Sequence, residues 1–162
     1  KDENLSPYSW MKAKMVELLK NYNKWYSLKY EICYFFNAYG PYQISDGNYA
    51  TVIAIFEKQF LNNEKLTVVK PGTQTRDFTH VSDIVNGVIK TIDLNKNNEW
   101  YFRAGKNYSI IDVANQFGDW KFIEKRKGER LKAEQFHTTT NNKLDWKPKH
   151  KLIDWINAIK GK

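Results

Sequence analysis

Apolar residues recur three or four positions apart at Met11, Met15, Leu18, Leu19, Tyr22 and Tyr26, a spacing that predicts an amphipathic helix. Ser6 and Pro7 supply its start: a hydroxyl N-cap, then a proline where the missing N–H costs nothing. The helix is expected to run from Pro7 to about Trp25. From Tyr30 to Phe36 the pattern becomes a near-continuous apolar run with aromatic and branched side chains. That run predicts a short buried strand of the kind parallel sheets use. Helix followed by buried strand is the alternation of a doubly wound α/β sheet.

Asn37-Ala38-Tyr39-Gly40-Pro41 ends the strand, and the polar stretch to Asn48 predicts a loop. Helical spacing returns from Tyr49 to Leu61. Leu66 to Val69 predicts a strand, Pro71-Gly72 a turn, and Asp77 to Val81 a second short strand. A helix beginning at Ser82 or Asp83 is expected to reach about Leu94. After a polar turn, Trp100 to Arg103 predicts a strand. Ser109 then caps a helix through Phe117, and Trp120 to Lys125 predicts a strand. A short helix near Thr140 to Leu144 and a terminal amphipathic helix from Leu152 to Ile159 complete the chain.

Composition narrows the function classes. A length of 162 residues allows one domain or one and a fraction, and 41% apolar residues are enough for a core. No apolar run approaches the roughly 18–20 residues that a membrane span needs, so no membrane association is expected. Cys33, the only cysteine, sits in an apolar run and reads as a buried small hydrophobe, consistent with a reducing, cytoplasmic compartment. The net charge of +8 would suit an anionic partner. Most of that charge is lysine spread along the chain, and many aromatics fall at core spacing, so nucleic-acid binding is not expected. Arginine is the better fork for phosphate, which singles out Arg76, Arg103, Arg126 and Arg130. His80, His137 and His150 are too dispersed for a metal site, and no metal is expected.

Tyr8 and Lys12 share one helix face at a spacing of four. A nearby ammonium favours a phenolate, which can take a hydroxyl proton while hydride leaves the adjoining carbon. Alone, the pair reads as a helix-surface contact. Its surroundings are more specific. Tyr34-Phe35-Phe36-Asn37-Ala38-Tyr39-Gly40-Pro41, then Pro71-Gly72-Thr73-Gln74-Thr75-Arg76-Asp77-Phe78-Thr79-His80-Val81-Ser82-Asp83, then Arg126-Lys127-Gly128-Glu129 and Leu144-Asp145-Trp146-Lys147-Pro148 follow in order. This ordered set resembles the extended short-chain dehydrogenase/reductases, the NAD-dependent nucleotide-sugar epimerases and dehydratases that include UDP-glucose 4-epimerase.

The resemblance implies a fold and a set of roles. The chain would be the C-terminal part of a doubly wound, Rossmann-like parallel sheet plus a small mixed α/β substrate-binding domain. Residues 1–40 would hold the catalytic helix and last strands of the Rossmann-like part, and 41–162 mainly the substrate domain, with elements returning. Tyr8 and Lys12 would be catalytic and, with Phe35, would meet NAD. Asn37, Arg76 and Arg126 would hold the diphosphate of a UDP- or dTDP-sugar, and Glu129 its ribose. Thr51, Val52, Thr67, Val69 and Gln74 would line the rest of the nucleotide. The residue-level alternatives are a turn-forming Asn37, a structural ion pair of Arg76 or Arg126 with Asp77 or another acid, and a surface Glu129. The first helix resembles the family's dimer-forming element, so a homodimer through residues 7–25 is also implied.

Several positions depart from the family pattern. Met11 stands where Ser often precedes the Lys, and Tyr34 where an Arg is common. Arg103 replaces an Asn two residues before Gly105 and is expected to face ligand or solvent. No Gly-rich pyrophosphate turn is present among the eight glycines. The expectation is therefore an N-terminally incomplete piece of an epimerase, inactive in isolation. The alternatives are a 4,6-dehydratase piece or a stand-alone nucleotide-sugar binding remnant.

Overall fold

The computed structural model describes residues 6–47, 49–124 and 143–161. Helix α1 spans Pro7–Tyr26 and opens as the sequence predicts, with Ser6 Oγ accepting the Ser9 N–H at 3.2 Å. Ser27 ends it in the left-handed region at φ 56°, donating its N–H to the Asn23 carbonyl. No residue of α1 is buried, and Trp10, Met15, Leu18 and Trp25 are all exposed. The Lys20 ammonium ties α1 to Glu99, and that hydrogen bond holds the Glu99 carboxyl below the usual carboxylate range.

Strand β1 (Glu31–Phe35) pairs in parallel with β5 (Asn98–Phe102), Cys33 opposite Trp100. The Glu31 carboxylate fastens the start of this pair, accepting from the Lys96 N–H and the Trp100 indole. The apolar run from Tyr30 to Phe36 predicts burial throughout, but Ile32 alone is buried in β1 and Phe35 is 57% exposed. The physical reason is pairing: among the described residues β1 has one hydrogen-bonded neighbour, so its far edge and outer face meet solvent. Cys33 is likewise half-buried, 3.5 Å from Thr91 Oγ1, and burial pushes its thiol up from the ordinary value.

Strand β2 (Asn37–Tyr39) follows at once and pairs in parallel with β4 (Thr75–His80); β4 pairs antiparallel with β6 (Asn107–Ser109). Both β2 and β6 fall where the pattern predicts loop, because three-residue strands leave too few alternations to see. The same pairing starts β4 two residues before the predicted Asp77. Helix α2 (Val52–Leu61) begins three residues after the predicted Tyr49, since Thr51 Oγ1 caps Ala54 N. Strand β3 (Leu66–Val69) pairs in parallel with β7 (Trp120–Ile123). Helix α3 (Val81–Ile89) stops short of Leu94, and the turn beyond it carries Asp93, Asn95 and Asn97 at positive φ. Helix α4 (Ile110–Phe117) has the Ser109–Asp112 capping box, and α5 (Leu152–Lys160) closes the chain. The predicted helix near Thr140 falls largely outside the described residues.

Two cores result. The larger gathers Tyr39, Phe56, Leu66, Val68, Phe78, Val113, Phe117 and Ile156 between α2, α4, α5 and the strands β2, β3 and β4. The smaller packs Ile84, Trp100, Phe102 and Trp146, with Cys33 at its margin. Asp83 joins the C-terminal segment to α3: its carboxylate accepts the N–H groups of Lys149 and His150 and meets His150 Nδ1, all at 3.0 Å. His80 packs against its neighbours. It stacks on His150 at 4.2 Å between ring centroids and caps Ser82 N through Nδ1, and burial lowers its pKa.

Gly87 faces the Phe102 ring, and an added Cβ would lie inside that ring's van der Waals envelope. Gly87→Ala is expected to force Phe102 from its packed position and to cost about 1–3 kcal/mol, read as a lower midpoint in denaturant titration.

Candidate functional site

A cavity of about 350 Å³ lies between the first turns of α2, strands β3 and β4, and the start of β2. Asn37 enters it from just past the carboxyl end of β1, the place where parallel α/β sheets present ligand-binding groups. Arg76 enters from β4, half-buried, with Nη1 donating to the Thr75 carbonyl at 2.8 Å. Phe78 follows two residues later on the same face of that strand, as period-two alternation requires. Thr51 and Val52 line the cavity from the start of α2, so the positive end of the helix dipole opens onto the same cavity as Arg76.

Thr67 and Val69 enter from β3. Thr67 is held by a two-point clamp: Gln59 Nε2 donates to its Oγ1 and Gln59 Oε1 accepts its N–H, each at 3.0 Å. Gln74 is 1% exposed, and its amide donates to the Val69 carbonyl at 3.0 Å, fixing the turn that leads into β4. The structure thus brings Asn37, Thr51, Val52, Thr67, Val69, Gln74 and Arg76 around one space. The remaining wall is apolar, from Phe56, Ile110 and Ile123 among others. Sequence reasoning missed these. Phe56 lies one helical turn beyond Val52 and could have been found by that spacing. Ile110 and Ile123 come from elements distant in sequence and carry no local signal.

Tyr8, Lys12 and Phe35 are placed elsewhere. Tyr8 is 65% exposed on α1, with Lys12 Nζ 5.6 Å from its ring centroid, and none of the three lines this cavity. A phenol and an ammonium one helical turn apart can pass a proton to or from a hydroxyl held beside them. Arg126 and Glu129 lie outside the described residues.

Arg103 turns inward rather than to solvent, and it does not line the cavity. Its Nε lies 2.9 Å from Asp77 Oδ2, the two side chains being 10% and 0% exposed. A carboxylate buried on the inner face of β4 draws the guanidinium inward. Asp77, the acid the sequence named as an ion-pair alternative for Arg76 and Arg126, pairs with Arg103.

Residues 1–108, two thirds of the sequence, match the family model described as "NAD dependent epimerase/dehydratase family". The chain belongs to the NAD-dependent epimerase/dehydratase family. Relatives in this family include UDP-glucuronic acid decarboxylase 3 of Arabidopsis thaliana, 31% identical over 86% of this chain and 42% of that protein. A putative UDP-glucose 4-epimerase of Methanocaldococcus jannaschii is 29% identical over 98% of this chain and 55% of that protein. Among solved structures, the UDP-glucose 4-epimerase of Thermotoga maritima with UDP-glucose superposes at a TM-score of 0.88 with 25% identity, covering 96% of this chain and 52% of that one. The chain thus spans about half the length of the relatives it matches. The family's mixed α/β architecture with parallel strands, Rossmann-like in its solved members, is the architecture seen here. Among the described residues of this family member, no helix is long and apolar enough to cross a membrane.

Proposed function

We propose that the cavity binds the nucleotide diphosphate of a UDP- or dTDP-sugar, and that the protein serves an NAD-dependent epimerase reaction in the cytoplasm. The observation that carries this reading is the convergence of Asn37, Thr51, Thr67, Gln74 and Arg76 on one cavity with apolar walls. Polar groups aimed into an otherwise apolar concavity are what a small-molecule site needs. Arg76 and Asn37 would take the diphosphate, joined by Arg126, with Glu129 on the ribose. Thr51, Val52, Thr67, Val69 and Gln74 would enclose the nucleoside. In this reading, residues 1–40 belong to the cofactor-facing part and 41–162 mainly to the substrate-facing part.

Tyr8 would act as general base, taking the proton of the sugar hydroxyl onto its phenolate oxygen, while Lys12 orients the ribose of the cofactor. Tyr8, Lys12 and Phe35 would hold part of NAD, which when bound would supply the hydride acceptor. Tyr8 would give its proton back to the sugar oxygen at the end of an epimerisation.

A second reading is binding of the nucleotide sugar without redox chemistry. It is favoured by the position of Tyr8, Lys12 and Phe35, which are exposed and outside the cavity. Titration calorimetry with UDP and with NAD separates the two. Under the first reading Arg76→Ala weakens UDP binding by at least about tenfold. Tyr8→Phe leaves UDP affinity unchanged but lowers NAD-dependent turnover of the intact protein by about 10²–10⁴-fold. Under the second, UDP binds and no turnover exists to lose. Absence of UDP binding to the wild-type protein would overturn both.

The exposed apolar side of α1 supports a homodimer formed through residues 7–25. Placing a charge there, as Leu18→Glu, is expected to shift the protein to monomer in analytical ultracentrifugation while leaving UDP affinity intact.

A further inference from the structure

Arg103 touches the backs of two of the segments that carry polar groups into the cavity, those of Arg76 and Asn37. Its Nε–Asp77 Oδ2 contact is 2.9 Å, and its guanidinium carbon lies 5.4 Å from the centre of the Phe36 ring. Asp77 is next to Arg76 in sequence, and Phe36 is next to Asn37. Alternation along a strand sends Arg76 and Phe78 to the cavity face of β4 and Asp77 and Thr79 to the opposite face. Asp77 is wholly buried, and besides Arg103 its carboxylate accepts the N–H groups of Ala104 and Gly105, each at 2.9 Å. The cavity floor therefore has a buried negative charge directly behind it. An uncompensated carboxylate there would repel an anion on the other side of the strand, because a low-dielectric interior screens it poorly.

We propose that Arg103 is a positioning residue that neutralises Asp77 behind the cavity floor, so that the Asn37 and Arg76 side can accept a dianionic diphosphate. Backbone N–H groups satisfy the hydrogen-bonding capacity of Asp77 but bring no net charge; Arg103 brings it. The inference rests on the nucleotide-diphosphate reading above, and it assigns a function to the position where the chain departs from the family pattern. Arg103 acts from behind the floor and does not itself line the cavity.

The test is calorimetry on the intact protein with UDP, inorganic pyrophosphate and uridine as probes. Arg103→Met is expected to weaken UDP and pyrophosphate by about tenfold or more and uridine by less than about twofold. Adding Asp77→Asn to that variant removes the unbalanced charge and is expected to restore both anions to within about threefold of wild type. Arg103→Lys keeps the charge without the fork and is expected to stay within about threefold; it also serves if the methionine variant does not fold. Equal loss of uridine and UDP in a folded variant would mark a purely structural role and overturn the proposal. So would unchanged anion affinity in Arg103→Met, failure of the double variant to recover, or collapse of anion binding in a folded Arg103→Lys. Failure of the diphosphate reading shows separately: the wild-type protein then binds neither UDP nor pyrophosphate, and the charge-balance proposal falls with it.

Discussion

The Asp77 carboxylate, sealed completely from solvent, is the constraint around which the rest is arranged. Burying a carboxylate is costly unless charge and hydrogen bonds replace the water it loses. Arg103, Ala104 N and Gly105 N supply that replacement, all from the segment leaving β5. Thr79 Oγ1, also buried, accepts the Ala104 N–H as well. The larger core leans on β4 through Phe78, and the smaller leans on β5 through Trp100 and Phe102. A single buried acid therefore links the two cores, and its position on β4 decides which side chains of that strand are left to face the cavity.

A second buried acid repeats the device one element later. Asp83, 1% exposed in the first turn of α3, collects the backbone of Lys149 and His150, while its own carbonyl accepts the Trp146 indole at 2.9 Å. The C-terminal segment is thereby carried to the base of α3, and α5 is delivered against the larger core. Trp155 then meets Tyr39 edge-on, and burial pushes the Tyr39 phenol up from its ordinary value. Tyr39 ends β2, so the strand that begins with Asn37 is held at its far end by aromatic packing and at its near end by pairing with β4. The position of Asn37 is thus a product of contacts with residues more than a hundred positions away.

What could be read from the sequence follows from how local each cause is. Helices α1 and α4 were legible because Ser6-Pro7 and Ser109 mark their starts and the apolar spacing fixes their faces. The start of α2 was not, because Tyr49 continues the apolar spacing while Thr51 caps the Ala54 N–H. Strands β2 and β6 were hidden because they exist only by pairing with β4. The motif residues around the cavity were legible as a set since they sit in short contiguous stretches. Ile110 and Ile123 were not, being brought there by tertiary folding alone. Arg103 was legible as a departure but not in its destination, since a strand pattern does not say which buried carboxylate lies across from a side chain.

The exposed side of α1 gives the molecule an optical asymmetry. Trp10 and Trp25 face water, whereas Trp100 and Trp146 are sealed, each 2% exposed. Water-facing indoles emit at longer wavelength and are open to collisional quenchers; sealed ones are protected from both. Whatever comes to cover α1 will therefore announce itself as a blue-shift of the intrinsic fluorescence and a shrinking iodide-accessible fraction, with no dye or label attached.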